Sequence, residues 1–234
     1  LLGRDTDRPR GEALLRWSHP RGEQVSPSRF ISAAEDAGLI HQLGRRSVEI
    51  LVDDLRRLSA EGVDMEVSFN LSAQQFSEPE FCKRLAGSLG ESGYPFGNIV
   101  LEITESAFVE RIERVREGLE YLHSLGLRVA VDDFGTGYSS LSYLRDLPID
   151  RLKVDRSFVE RLPGDKRSLA LLQVVRETCS VFGLEMVVEG VEREDQLEEL
   201  RTIAPDIYQG FLFGRPGPLD RLIEQRGRAA EPIL

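Results

Sequence analysis

The stretch Asp132-Asp133-Phe134-Gly135-Thr136-Gly137-Tyr138-Ser139-Ser140 joins two adjacent carboxylates to a glycine-rich turn. At the end of a strand each aspartate can reach a different metal ion. Two ions about 3.5–4 Å apart can activate water and stabilise the leaving oxygen in phosphodiester cleavage. The glycines let the following loop turn tightly beside them. Asp-Phe-Gly also occurs in protein kinases, but no Gly-rich nucleotide loop or His-Arg-Asp loop accompanies it here, so that match is chance. Ser139 and Ser140 lack a plausible histidine partner, which disfavours a serine hydrolase.

Other polar residues fall at the ends of β-rich runs: Glu12, Asn70, Glu102, Lys153 with Asp155, Glu189 and Gln209. Alternation puts Glu12, Leu14 and Arg16 on one strand face, and Lys153 and Asp155 on another. For a single carboxylate a solvated rim is an adequate explanation. It does not explain Glu102 within Leu101-Glu102-Ile103 or Lys153 within Leu152-Lys153-Val154, because a buried charge is costly unless paired or bound to metal. Converging carboxylates repel by about 4 kcal/mol per pair at about 4 Å and an effective dielectric of about 20, and Lys153 neutralises only one of them. A divalent cation resolves this better than a structural ion-pair network. His19, His41 and His123 lie in loops or helices and no cysteine ends a strand, so the oxygen ligands favour Mg²⁺ or Mn²⁺ over zinc.

These side chains need a scaffold that gathers strand ends. Runs at Glu12–Trp17, Glu66–Leu71, Ile99–Thr104, Arg128–Val131, Arg151–Asp155, Glu185–Glu189 and Ile207–Phe213 read as strands. Between them, apolar residues recur at helical spacing: Leu51, Leu55 and Leu58; Phe81, Leu85 and Leu89; Ile112, Val115, Leu119 and Leu122; Leu172, Val175, Cys179 and Phe182. Each row is expected to pack on the sheet. Gly126 and Gly183 read as left-handed helix ends before strands. Ser18 to Gly62 carries two helical patterns separated at Gly38, one of them an inserted helix. A last helix follows Pro218, with Leu219, Leu222 and Ile223 on one side and a frayed tail after it. The alternation implies an α/β fold, a modified TIM (β/α)₈ barrel, whose sites form at the C-terminal strand ends. Its eighth strand is expected in the polar segment Leu1–Gly11.

A chain of 234 residues suits one such domain. With 41% hydrophobic and 30% charged residues it can bury a sizeable core. No apolar run approaches a membrane span and no signal-peptide layout opens the chain. The expected compartment is the cytoplasm, with any tether to the inner membrane lying in other domains. Cys82 and Cys179 read as reduced core or near-core thiols. A net charge of −10 argues against DNA, RNA or anionic-membrane binding. The opening Leu1-Leu2-Gly3 lacks Met, as if the chain were cut from a larger multidomain protein.

At Glu12-Ala13-Leu14-Leu15-Arg16-Trp17 the sequence resembles the EAL domain family, bacterial phosphodiesterases that linearise cyclic di-GMP to pGpG with Mg²⁺ or Mn²⁺. Matching blocks continue at Asn70-Leu71-Ser72, Leu101 to Ser106, Asp132 to Leu144, Leu152 to Val159, Glu189-Gly190-Val191-Glu192 and Gln209 to Phe213. The resemblance covers nearly the whole chain. It implies that Glu12, Asn70, Glu102 and Asp132 hold one metal, with Asp132 bridging to a second bound by Asp133. Glu189 becomes the general base, and Lys153 orients the water or phosphate. Leu14, Arg16 and Gln209 contact the dinucleotide, and Asp155 supports the site. Glu105 anchors the Asp-Asp-Phe-Gly loop near a dimer interface, with Phe134, Gly135 and Glu192 in the same supporting group. A homodimer and upstream GGDEF or sensor domains are implied partners.

Three departures stand out. Leu1–Gly11 shows none of the Tyr-Gln-Pro strand with which the family usually begins, through truncation or divergence. The loop Pro20 to Pro27 places its glycine early, and Val188 replaces a common alanine. An active phosphodiesterase is the leading expectation, because every metal ligand and the general base are present. A receptor that binds cyclic di-GMP without cleaving it is the alternative. A mere dimerisation scaffold leaves the charges inside apolar strands unexplained.

Overall fold

The computed structural model describes residues 2–3, 8–78, 80–105, 112–136 and 142–229. Its short apolar runs pair into one curled eight-stranded sheet. In chain order the strands are β1 (Leu2–Gly3), β2 (Arg10–Ala13), β5 (Glu66–Asn70), β6 (Ile99–Thr104), β7 (Arg128–Phe134), β8 (Arg151–Val154), β9 (Glu185–Val188) and β10 (Ile207–Tyr208). Two more, β3 (Trp17–Ser18) and β4 (Gln24–Val25), form a separate hairpin. The sheet order is β1-β10-β9-β8-β7-β6-β5-β2. All neighbours are parallel except β1, which runs antiparallel with Leu2 opposite Tyr208. The strand expected within Leu1–Gly11 is thus β1, and its direction is what modifies the (β/α)₈ pattern.

The connections are α1 (Pro27–Asp36), α2 (Ile40–Ala60), α3 (Phe81–Gly90), α4 (Ile112–Ser124), α5 (Ser142–Asp146), α6 (Lys166–Phe182), α7 (Glu194–Leu200) and α8 (Leu219–Ala229). As expected, α1 and α2 part at Gly38, and the helices before β7 and β9 end at left-handed Gly126 and Gly183. The period of two divides each strand. Leu101 and Ile103, Val129 and Val131, Leu152 and Val154, and Met186 and Val188 join the core under the helices, where Leu55, Leu119, Leu122 and Leu172 meet them. The alternate set faces the barrel interior, where Glu66, Ser68, Glu102, Arg151, Lys153 and Gln209 line one small cavity. Branched apolar layers ordinarily fill such an interior; here it is largely polar. Among the described residues, no helix is long and apolar enough to cross a membrane.

Several expected boundaries move. The run Glu12–Trp17 pairs with β5 only as far as Ala13, opposite Phe69, one residue before β5 ends at Asn70 and the chain enters a 3-10 segment at Ala73. Trp17 instead enters the β3–β4 hairpin. Its turn closes with Gly22 donating to the His19 carbonyl, and Gly22 has φ of +87°, a conformation that favours glycine. The early glycine of that loop therefore has a structural reason. The expected strand Ile207–Phe213 ends at Tyr208, whose partner Val188 closes β9. Phe182 does not share the buried row of α6; it is 37% exposed. Ser106 and residues 137–141, part of the blocks noted above, lie outside the described residues, as does the side chain of Ile112.

Candidate active site

The centre of the site is Lys153, which β8 directs inward between β7 and β9. Its Nζ lies 2.8 Å from Glu102 Oε2, 2.8 Å from Glu189 Oε1 and 3.0 Å from Asp132 Oδ1. Lys153 and Glu102 are each 3% exposed. Three carboxylates around one ammonium leave a buried surplus of negative charge. Burial pushes the Glu102 carboxyl up to about 8 and Glu189 up to about 7, against the downward pull of Lys153. For Lys153 burial works against the charge, yet Glu102, Glu189 and Asp132 together hold it well above the usual lysine range.

Asp132 and Asp133 are neighbours on a strand, so simple alternation would send them to opposite faces. They converge because Asp133 adopts a left-handed backbone, φ +54°, where the β7–β8 register shifts between Val131 and Phe134. Carboxylate oxygens of Asp132, Asp133 and Glu189 then all lie within 4.8 Å of one another. Burial, followed by Asp132 and Asp155, raises the pKa of Asp133. Glu105 braces this bend: its buried Oε2 accepts the Gly135 N–H at 3.2 Å. Gly135 has φ of +94°, and a Cβ there would meet the Phe158 ring at 2.6 Å, so the turn tolerates only glycine. Phe134 is buried in the core beside it.

Glu12 stands at the opposite wall. Its Oε1 accepts Asn70 Nδ2 and its Oε2 accepts Gln209 Nε2, both at 2.8 Å. The second bond joins the end of β10 to β2, near opposite edges of the sheet. Gln209 Oε1 is buried and has no hydrogen-bond partner among the described residues. The donor set fits divalent cation binding: it is all oxygen, carries surplus negative charge and clusters three carboxylates at ligand spacing.

The structure therefore gathers Glu102, Asp132, Asp133, Lys153 and Glu189 in one cluster and Glu12, Asn70 and Gln209 in an adjoining one. The others stand further out. Leu14 is 39% exposed, and Arg16 is turned back onto the Leu15 carbonyl. Asp155 Oδ1 caps the turn at Ser157, and its charge acts on Asp133. Glu192 is exposed, with its backbone N–H bound by Gln196 Oε1. Sequence reasoning missed Glu66 and Arg151, buried in the interior below the site. The signal was available: Arg151 lies two residues before Lys153, and Glu66 four before Asn70.

Residues 5–216 match the family model described as EAL domain. The chain is 39% identical over 227 residues to the cyclic di-GMP phosphodiesterase NbdA of Pseudomonas aeruginosa, covering 95% of this chain and 29% of that protein. A solved structure titled PaMucR phosphodiesterase, c-di-GMP complex, is 36% identical with a TM-score of 0.83, covering 90% of this chain and 86% of that one. The EAL enzyme Bd1971, in its cAMP- and cyclic-di-GMP-bound form, is 31% identical with a TM-score of 0.86, covering 92% and 60%. The chain spans only 25–31% of the length of its curated relatives. With a family model spanning most of its length and relatives of this similarity, the chain belongs to the EAL domain family.

Proposed function

We propose that this domain hydrolyses cyclic di-GMP to linear pGpG with two Mg²⁺ or Mn²⁺ ions. The observation that carries the reading is the cluster of Asp132, Asp133 and Glu189 around buried Lys153, complete in each expected residue. Its support from similarity is that the PaMucR phosphodiesterase was solved with cyclic di-GMP. Glu12, Asn70, Glu102 and Asp132 would hold one cation, Asp132 and Asp133 the other. When bound, such ions lower the pKa of water and stabilise the leaving oxygen.

The chain's own residues do the rest. Water adds to phosphorus and the bond to the 3′ oxygen breaks, giving the 5′-phosphate of pGpG and a 3′ oxygen that takes a proton from solvent water to become the free hydroxyl. Glu189 accepts the proton that the water loses, and a carboxylate whose proton affinity sits near neutrality suits that task. Lys153 keeps its charge throughout and orients the water or the phosphate. Gln209, whose amide oxygen has no partner among the described residues, contacts the dinucleotide. Arg16 swings from the Leu15 carbonyl to the substrate, Leu14 packs beside it, and Asp155 supports Asp133.

The domain is further proposed to work in the cytoplasm as a homodimer within a larger protein that carries GGDEF or sensor domains. The exposed apolar row of Leu171, Val174 and Val181 along α6 supports the dimer. The experiment is incubation of the chain with cyclic di-GMP and Mg²⁺ or Mn²⁺, followed by chromatography for pGpG. Tight binding without product would sink the hydrolase reading and leave a receptor.

A further inference from the structure

Beneath the carboxylate cluster the barrel axis holds a second charged layer. Arg151 donates a fork to Glu66, Nη1 to Oε1 at 2.5 Å and Nη2 to Oε2 at 2.7 Å, with both side chains 5% exposed. Arg151 Nε also binds Glu185 Oε2 at 2.5 Å. Arg10 Nε and Arg128 Nη1 each lie 3.4 Å from a Glu66 oxygen. Glu66 and Arg151 line the same small cavity as Glu102 and Lys153, so the two layers adjoin.

β6 and β7 separate β5 from β8 in the sheet. The fork is therefore a strut across the barrel rather than a rung between neighbours. A buried ion pair gains little over an apolar pair of similar volume, so stability alone does not account for it. A bidentate fork does fix the separation and rotation of its two partners. The strands it joins carry Lys153, two residues beyond Arg151, and Asn70, four beyond Glu66.

We infer that Arg151 and Glu66 are positioning residues, a cross-barrel strut that holds Lys153 in register with Glu102, Asp132 and Glu189. The inference rests on the proposed hydrolysis only for its kinetic readout. Cation binding provides a separate one.

The test compares the wild-type chain with the Arg151→Met/Glu66→Leu double variant and with Arg151→Lys. Cooperative melting reports folding, Mn²⁺ titration followed by electron paramagnetic resonance reports cation affinity, and cyclic di-GMP turnover reports kcat and KM. The apolar double variant is expected to melt cooperatively and to bind Mn²⁺ about tenfold more weakly or worse. Its kcat should fall about 10–100-fold, the usual effect of losing a supporting partner of a metal site, with KM nearly unchanged. A folded double variant with wild-type Mn²⁺ affinity and kcat overturns the strut. Should the double variant fail to fold, Arg151→Lys decides, because it keeps the charge and loses the fork: unchanged Mn²⁺ affinity again overturns the inference. A wild-type chain that binds Mn²⁺ but yields no pGpG defeats the hydrolase reading, while the Mn²⁺ comparison still judges the strut.

Discussion

Replacing Lys153 with Met removes the one ammonium that Glu102, Glu189 and Asp132 share at 2.8–3.0 Å. At about 3 Å and an effective dielectric of about 20, each attraction is worth about 5–6 kcal/mol before desolvation. The net loss is far smaller, because Glu102 and Glu189 can take up protons, and their pKa values of about 8 and about 7 lie close to neutrality. Breaking a buried pair ordinarily costs about 3–5 kcal/mol. The pH decides how much of that is felt. For a carboxyl with a raised pKa, the folded state keeps a proton that the unfolded chain releases, so stability falls as pH rises from the unfolded value to the folded one. Loss of the ammonium lifts both folded values further and carries that fall to higher pH. The wild-type ammonium, its pKa raised well above 10.5, remains charged at pH 9 and keeps its stabilising effect there. In EDTA, Lys153→Met should therefore cost about 3 kcal/mol at pH 9, or about 6–12 °C in Tm, and only about 1 kcal/mol, or about 2–4 °C, at pH 6. Thermal melts at the two pH values measure this directly. Equal losses at both, or a greater loss at pH 6, would refute the reasoning.

Glu189→Ala should lower turnover by about 10²–10⁴-fold while leaving cyclic di-GMP binding largely intact; a wild-type rate in the variant removes Glu189 from the role of base. Gly135→Ala forces a Cβ into the Phe158 ring at a left-handed φ, and should cost about 1–3 kcal/mol in a urea melt along with turnover; unchanged stability would show that the turn yields freely. Turnover should stop in EDTA and return with Mg²⁺ or Mn²⁺, as an all-oxygen site predicts, and a chelated sample that still makes pGpG contradicts the metal assignment.

The site could be read from the sequence where a charge interrupts an apolar run, as Glu102 and Lys153 do. Arg151 and Glu66 obey the same alternation but sit at the starts of their strands, after Asp150 and Met65, where a charge looks solvated. Only the closure of the sheet buries them. Helix positions were legible because their apolar rows are long. The ends of β2 and β10 were not, since Leu14 to Arg16 and Gln209 to Phe213 have the composition of strands yet fall outside the sheet ladders, which stop at Ala13 and Tyr208. Pairing is a property of the neighbouring chain, which local composition does not encode.

Asp132 and Asp133 show the same limit at the site itself. Their adjacency suggested two metals, yet a regular strand would have separated the two carboxylates by a whole sheet thickness. Convergence depends on the left-handed Asp133, on the shifted register of β7 against β8, and on Glu105 holding Gly135 with Phe158 pressed against it. A left-handed non-glycine residue costs about 1–3 kcal/mol and persists only where its surroundings enforce it. Placing two acids on one side of a strand thus requires the glycine turn that follows them, and the motif Asp-Asp-Phe-Gly is a single conformational unit in which the last residue makes the first two useful.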